Sequence, residues 1–92
     1  MKESEILYAA AESMRKGGYS HDWLGIGCGC FADHIHRIAY YDDNEDAADQ
    51  RIRALVGSLD PDDLRTAGWN KDDAIAALTI AADCAFEEEK AQ

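Results

Sequence analysis

Lys71-Asp72-Asp73-Ala74-Ile75-Ala76-Ala77-Leu78-Thr79-Ile80-Ala81-Ala82-Asp83-Cys84-Ala85-Phe86-Glu87-Glu88-Glu89 is the stretch whose reading decides the fold. No glycine or proline interrupts it, its apolar residues recur at helical spacing, and Asn70 can cap its start. Ile75, Leu78, Ala82 and Phe86 form one apolar stripe. Ala77, Ile80, Ala81 and Cys84 form a second on the opposite side. A surface helix normally has one apolar face. Two faces imply either a central helix surrounded by the others or a face kept for a partner, including a second copy meeting through Ala77, Ile80, Ala81 and Cys84. With several short elements and one core to build, the central position is the expected one.

Reading outward, the rest of the chain is also helical. Trp69 stands just outside the last helix. Asp60-Pro61-Asp62-Asp63 is a sharp start for a short helix, with Asp as cap, Pro at the first position and Gly68 soon after. Ala48, Ile52, Leu55 and Leu59, with Val56 beside them, mark a third helix. A second helix is expected over about 29–41, its inward stripe Phe31, Ile35 and Ile38, with Cys28 beside it. Ile6, Leu7, Ala10 and Met14 mark the first helix, which Gly17-Gly18 can end. One proline and no convincing alternation leave little room for strands. The expected fold is all-α: a compact single-domain bundle of four to five short helices over residues 1–92.

The 92 residues carry 19 Asp+Glu against 9 Lys+Arg, a net charge of −10, and 47% are apolar. That apolar content argues against a disordered acidic tail. A field of this sign repels nucleic acid and anionic membrane and attracts basic surfaces. Arg15, Lys16, Arg37, Arg51, Arg53 and Arg65 are scattered, which speaks against direct nucleic-acid binding. No apolar run approaches the roughly 18 residues of a membrane span, and the first residues lack a signal-peptide charge pattern. Three cysteines, an odd number, fit a reducing compartment. The expectation is a cytoplasmic protein with no membrane association.

Most of the acids have a local reason. Glu3, Glu5, Asp43, Glu45, Asp46, Asp60, Asp62, Asp63, Asp72 and Asp73 stand at helix starts, where the macrodipole favours them. Glu12 with Lys16, Asp33 with Arg37 and Asp49 with Arg53 have the acid-first spacing of helical ion pairs. Asp22, Asp42, Asp83, Glu87, Glu88 and Glu89 remain. Asp42 and Glu87 to Glu89 sit at helix C-termini, where the dipole disfavours them, and Asp83 repels Glu87 four residues on. Two candidate partner-binding patches result: Asp42, Asp43, Glu45, Asp46 and Asp49, next to Tyr40 and Tyr41; and Asp83, Glu87, Glu88 and Glu89. Tyrosine is enriched at interfaces, which makes the Tyr40-Tyr41 pair a candidate anchor. Trp23 and Trp69 are expected in the core.

Cys28-Gly29-Cys30-Phe31-Ala32-Asp33-His34-Ile35-His36 packs four potential ligands into nine residues. The cysteine spacing is tighter than zinc sites use. Residues two apart on a helix diverge, so only Cys30 and His34, four apart, share a face. Those two are the residues a metal or a thiol-dependent regulatory site would use. The expectation is no metal and no cofactor, with the histidines at the surface or rim. No oxyanion hole or phosphate loop is visible, and no enzymatic activity is expected.

Ala9-Ala10-Ala11-Glu12-Ser13-Met14-Arg15-Lys16-Gly17-Gly18-Tyr19 and Gly68-Trp69-Asn70-Lys71-Asp72-Asp73-Ala74-Ile75-Ala76-Ala77-Leu78 resemble the first helix and the closing Trp-Asn-Asp turn of a small helical domain-of-unknown-function family of actinobacterial and phage proteins. The likeness covers about a third of the chain. It implies a helical fold, no assigned activity and a phage or mobile-element origin. By analogy with other small acidic phage proteins, it adds the expectation of an inhibitor of host defence such as an anti-CRISPR. The expected function is thus a non-enzymatic acidic protein that occupies a basic, nucleic-acid-binding surface of a partner protein. A metal- or thiol-dependent regulator and a small dimerisation module are the alternatives.

Overall fold

Gly18 ends the first helix as its position predicts: its φ of 92° is a left-handed conformation that L side chains rarely adopt, and its N–H donates to the Met14 carbonyl at 2.8 Å. The computed structural model describes residues 1–19, 31–59 and 69–91. Four helices run through them in chain order: α1 (Glu3–Gly17), α2 (Phe31–Ile38), α3 (Glu45–Leu59) and α4 (Lys71–Lys90). None of the described residues lies in a strand, and the protein is an all-α bundle. The short helix expected at 60–68, together with Trp23, Cys28 and Cys30, lies outside the described residues.

The start of α4 follows from its sequence. The Asn70 side chain accepts from the Asp73 N–H at 2.9 Å, and the Asp73 carboxylate accepts from the Asn70 N–H at 3.0 Å. This reciprocal box satisfies two donors that a helix start leaves over.

The inward faces are mostly those the spacing predicts, except that Phe86, expected in the first stripe of α4, is 45% exposed. Ile6, Leu7, Ala10, Ala11 and Met14 of α1, Phe31 and Ile35 of α2, and Ala48, Ile52 and Val56 of α3 are buried. α4 contributes Ala74, Ile75, Ala77, Leu78, Ala81, Ala82 and Ala85. Tyr19, Ile38, Leu55 and Trp69 pack half-buried against this core. Five of the seven buried α4 residues are alanine, so its backbone can approach α1 closely, and the two helices pack along their length.

Three expectations need correction. Among the described helices α4 is not the central one: α1 and α3 each pack on the three others, α1 most extensively, whereas α4 packs chiefly on α1 and α3. The second stripe of α4 is accordingly split: Ala77 and Ala81 are buried, while Ile80 and Cys84 face outward. The second helix ends at Ile38 rather than near 41, because Tyr41 takes a left-handed φ of 61° and turns the chain. Glu12 pairs with Arg15 instead of Lys16. The other two helical pairs form: Asp33 with Arg37 at 2.9 Å and Asp49 with Arg53 at 2.8 Å.

Candidate functional site: an acidic and aromatic corner

The turn from α2 into α3 holds the first of the two acidic patches. The Ala39 N–H makes a last helical bond to the Ile35 carbonyl, the Asp42 N–H returns to the Ala39 carbonyl at 2.8 Å, and the Glu45 N–H donates to the Asp42 carbonyl at 3.1 Å. Tyr41 occupies the left-handed position that usually falls to Gly or Asn. For a residue with a Cβ this costs about 1–2 kcal/mol.

Nothing in the fold recovers that cost through burial, because Tyr41 is 84% exposed and Tyr40 is 59% exposed. The two rings lie together, centroids 4.1 Å apart, and Tyr40 meets the His36 ring edge-on at 4.7 Å. His36 Nδ1 in turn holds the Glu45 carboxylate at 2.7 Å, so the base of the corner is tied to both helices. A hydrogen bond with Tyr41, partial desolvation and the Glu45 charge raise the Tyr40 phenol above its ordinary pKa.

The acids of this patch divide by direction. Asp42 turns inward: it holds the Met1 ammonium at 2.8 Å and accepts from the Asn44 N–H at 2.9 Å. The ammonium first, then the Asn44 N–H, lowers its pKa. Asn44 Nδ2 adds a bond to the Met1 carbonyl at 2.7 Å. Asp49 pairs with Arg53 through Oδ2, while its Oδ1 is buried without a hydrogen-bond partner. Asp43 and Asp46 are exposed, and neither makes an ion pair or hydrogen bond among the described residues.

Three of the four acids of the second patch, Asp83, Glu88 and Glu89, have partners within the fold, which corrects the reading that they lack a structural reason. Glu89 Oε2 accepts from the Ser4 N–H at 3.1 Å and Oε1 from the Ser4 hydroxyl at 2.7 Å. The C-terminal end of α4 thereby caps the N-terminus of α1, where a negative charge is favoured. Those Ser4 bonds lower the Glu89 pKa. Glu88 reaches Arg51 at 2.6 Å, which lowers the Glu88 pKa; the guanidinium also holds Glu3, and the two carboxylates raise its own pKa. Asp83 accepts from the Tyr8 hydroxyl, whose pKa rises in consequence. Glu87 has only a long contact with Lys90, 3.6 Å.

Asn44, in the turn that carries the first patch, lines one polar pocket of about 370 Å³ with Glu88 and Glu89 of the second and with Lys2, Glu3 and Arg51.

The expected position of the histidines needs a further correction. His34 is 1% exposed, not at the rim. Its Nε2 lies 2.9 Å from the Gly18 carbonyl and its Nδ1 2.8 Å from Ser13 Oγ. A carbonyl only accepts, so Nε2 carries the proton and Nδ1 takes the Ser13 hydroxyl as donor. With both nitrogens engaged, His34 bolts α2 to the end of α1 and has no lone pair left for a metal or a nucleophile. His34 and His36 diverge as helical spacing predicts, one into the core and one to the corner. Cys30, the other half of the expected pair, lies outside the described residues, and no ligand group of three His, Cys, Asp or Glu exists among those described. No described helix is long and apolar enough to cross a membrane.

Comparison with protein-family models, with curated proteins and with solved structures finds no match to this chain.

The sequence pointed to Tyr40, Tyr41, Asp43 and Asp46 through the density of the run. The left-handed backbone of Tyr41 is not readable from that run, where a non-glycine residue between a helix end and an acidic turn is the only signal of it.

Proposed function

We propose that the protein is a non-enzymatic binding protein whose corner of Tyr40, Tyr41, Asp43 and Asp46 docks on a basic surface of another protein. The observation that carries this reading is Tyr41: an exposed aromatic ring held on a strained backbone. The turn between α2 and α3 needs a left-handed residue there, yet it is a tyrosine and not the Gly or Asn that would hold the conformation without strain, and strain kept in this way is a sign of function. The chemistry is consistent. A partner's guanidinium can lie over the face of Tyr40 or Tyr41, a cation–π contact, while Asp43 or Asp46 accepts its N–H groups. Because neither carboxylate makes an ion pair or hydrogen bond among the described residues, a docking cation need not break a pair seen there.

The setting we propose is cytoplasmic inhibition by a phage-encoded protein that covers a nucleic-acid-binding groove of a host defence complex, as an anti-CRISPR does. It is supported by the net charge of −10, which can replace the electrostatic attraction that holds nucleic acid in such a groove, and by the resemblance of residues 9–19 and 68–78 to actinobacterial and phage proteins. The reading needs no cofactor, no nucleic acid bound by the chain itself and no membrane.

Charge reversal tests it. Asp43→Lys with Asp46→Lys should abolish capture of basic partner proteins in a pull-down; both acids stand at the start of α3, where the macrodipole favours them, so the reversal should also cost about 1–2 kcal/mol of stability, and a circular-dichroism melt checks that the protein is still folded. Equal capture by the reversed protein would sink the reading.

A further inference from the structure

A second surface runs from the corner down the bundle. Between α3 and α4 lies a groove of about 570 Å³ lined by Ala47, Ala54, Leu55 and Ala81, with the Cys84 thiol and Gln50 on its walls and the Glu3–Arg51 pair at one end. Ile80, one turn before Cys84, is 48% exposed. Asp46, Ala47, Gln50 and Ala54 are all exposed and recur three or four residues apart, so they form one continuous face of α3. That face joins the acidic corner to the groove.

The groove is not uniform in charge. Where α3 begins and α4 ends, Arg51 serves both Glu3 and Glu88, two carboxylates to one guanidinium. Asp43 and Asp46, at the start of α3, and Glu87, near the end of α4, are exposed acids. Among the described residues, the lining around Leu55, namely Ala54 and Ala81, is uncharged. From this polarity we infer that the groove seats an amphipathic helix of the partner, its apolar stripe along α3 and α4 and its basic end against Asp43, Asp46 and Glu87. Helix-in-groove recognition needs such an apolar stripe at i, i+3, i+4 and i+7. Charge complementarity selects a helix with Lys or Arg at one end, whereas a second copy of this chain brings another net charge of −10. The inference rests on the reading that the corner binds a basic protein, and it adds the shape of that partner.

The test uses a labelled synthetic peptide of about 16 residues, long enough for roughly four helical turns. It carries Leu and Ala in one stripe and four arginines at one end. A scrambled peptide of equal charge has no stripe. Affinity is read by fluorescence anisotropy against the whole chain, the groove variant Ala54→Glu and the corner variant Asp43→Lys/Asp46→Lys. Ala54 is exposed, so its replacement should fold, and a circular-dichroism melt checks that. The expected result is binding weakened on the order of tenfold by Ala54→Glu, by scrambling and by corner reversal, a tenfold change being about 1.4 kcal/mol.

Ala54→Glu is decisive because it adds a negative charge. A purely electrostatic contact would tighten toward the cationic peptide, whereas a seated apolar stripe loosens. If Ala54→Glu and scrambling change nothing while corner reversal weakens binding, the groove inference is overturned and the corner reading stands. If only the groove variant matters, the basic end is wrong and the corner reading fails with it. No binding at about 1 mM peptide overturns the inference. A dimer in light scattering that Ala54→Glu disperses would overturn it too, by making a second copy the occupant.

Discussion

Replacing His34 by Leu should cost this protein about 3 kcal/mol. The estimate comes from the two bonds of the buried ring. A typical intramolecular hydrogen bond is worth about 1 kcal/mol net, and a buried acceptor left without a partner costs about 1–3 kcal/mol. Leucine is close enough in volume to keep the packing, so the loss is that of the Ser13 and Gly18 bonds and the orphaned Gly18 carbonyl. For a domain of this size each kcal/mol moves the thermal midpoint by about 4–8 °C, so a fall of roughly 12–24 °C is expected. Urea unfolding followed by circular dichroism gives the free energy directly, with an unchanged slope showing that the unfolded surface is the same. The partner variant Ser13→Ala should cost about 1 kcal/mol in the parent chain and much less in the His34→Leu background, where its hydroxyl has already lost its acceptor. A loss below about 1 kcal/mol for His34→Leu, or strict additivity with Ser13→Ala, would refute the bolt between α1 and α2 and reopen His34 as a ligand.

Tyr41→Asn should relieve the left-handed backbone and stabilise the protein by about 1 kcal/mol, while weakening capture of basic partners; stabilisation without loss of binding would show the ring to be idle. Asn70→Ala removes the cap of α4 and should cost about 1 kcal/mol in the same urea assay. Acid should destabilise the fold through Asp42, Glu88 and Glu89, whose pKa values lie below their ordinary 3.8 and 4.5. A lowered folded pKa gives stability that is whole above about pH 4.5 and lost as pH falls through the depressed value, so the midpoint should drop below pH 4.5 and the drop should shrink in Glu89→Gln.

The helical bundle was legible because its signals are local. Apolar spacing places Ile6, Leu7, Ala10 and Met14 on one face, Asn70 and Asp73 close a box three residues apart, and Gly17-Gly18 stops the helix where the chain must turn. The fate of the C-terminal acids was not legible, because it depends on residues far apart in the chain. Glu89 stands at the wrong end of its own helix and at the right end of α1, 85 residues earlier at Ser4. Helical spacing sees the first fact and is blind to the second. Arg51 shows the same limit: no local acid marks it as the cation shared by Glu3 and Glu88. His34 looked like a ligand beside Cys30, yet its partners are a serine on another helix and a backbone carbonyl, which no residue pattern announces. The helix in which two apolar stripes were read has one broad alanine-rich face, because α4 is not the central helix among those described. The part of the candidate site that survives, Asp43 and Asp46 beside the tyrosines, is the part whose surroundings are sequence neighbours.

The most direct measurement of the central claim is a ¹⁵N–¹H chemical-shift titration of the whole chain with the arginine-ended amphipathic peptide. The account predicts that the largest shifts fall on residues 40–46, continue along the exposed face of α3 to Ala54 and onto α4 around Cys84, and leave Glu12 to Lys16 unmoved. Shifts centred on any other surface, or none at residues 40–46, would contradict it.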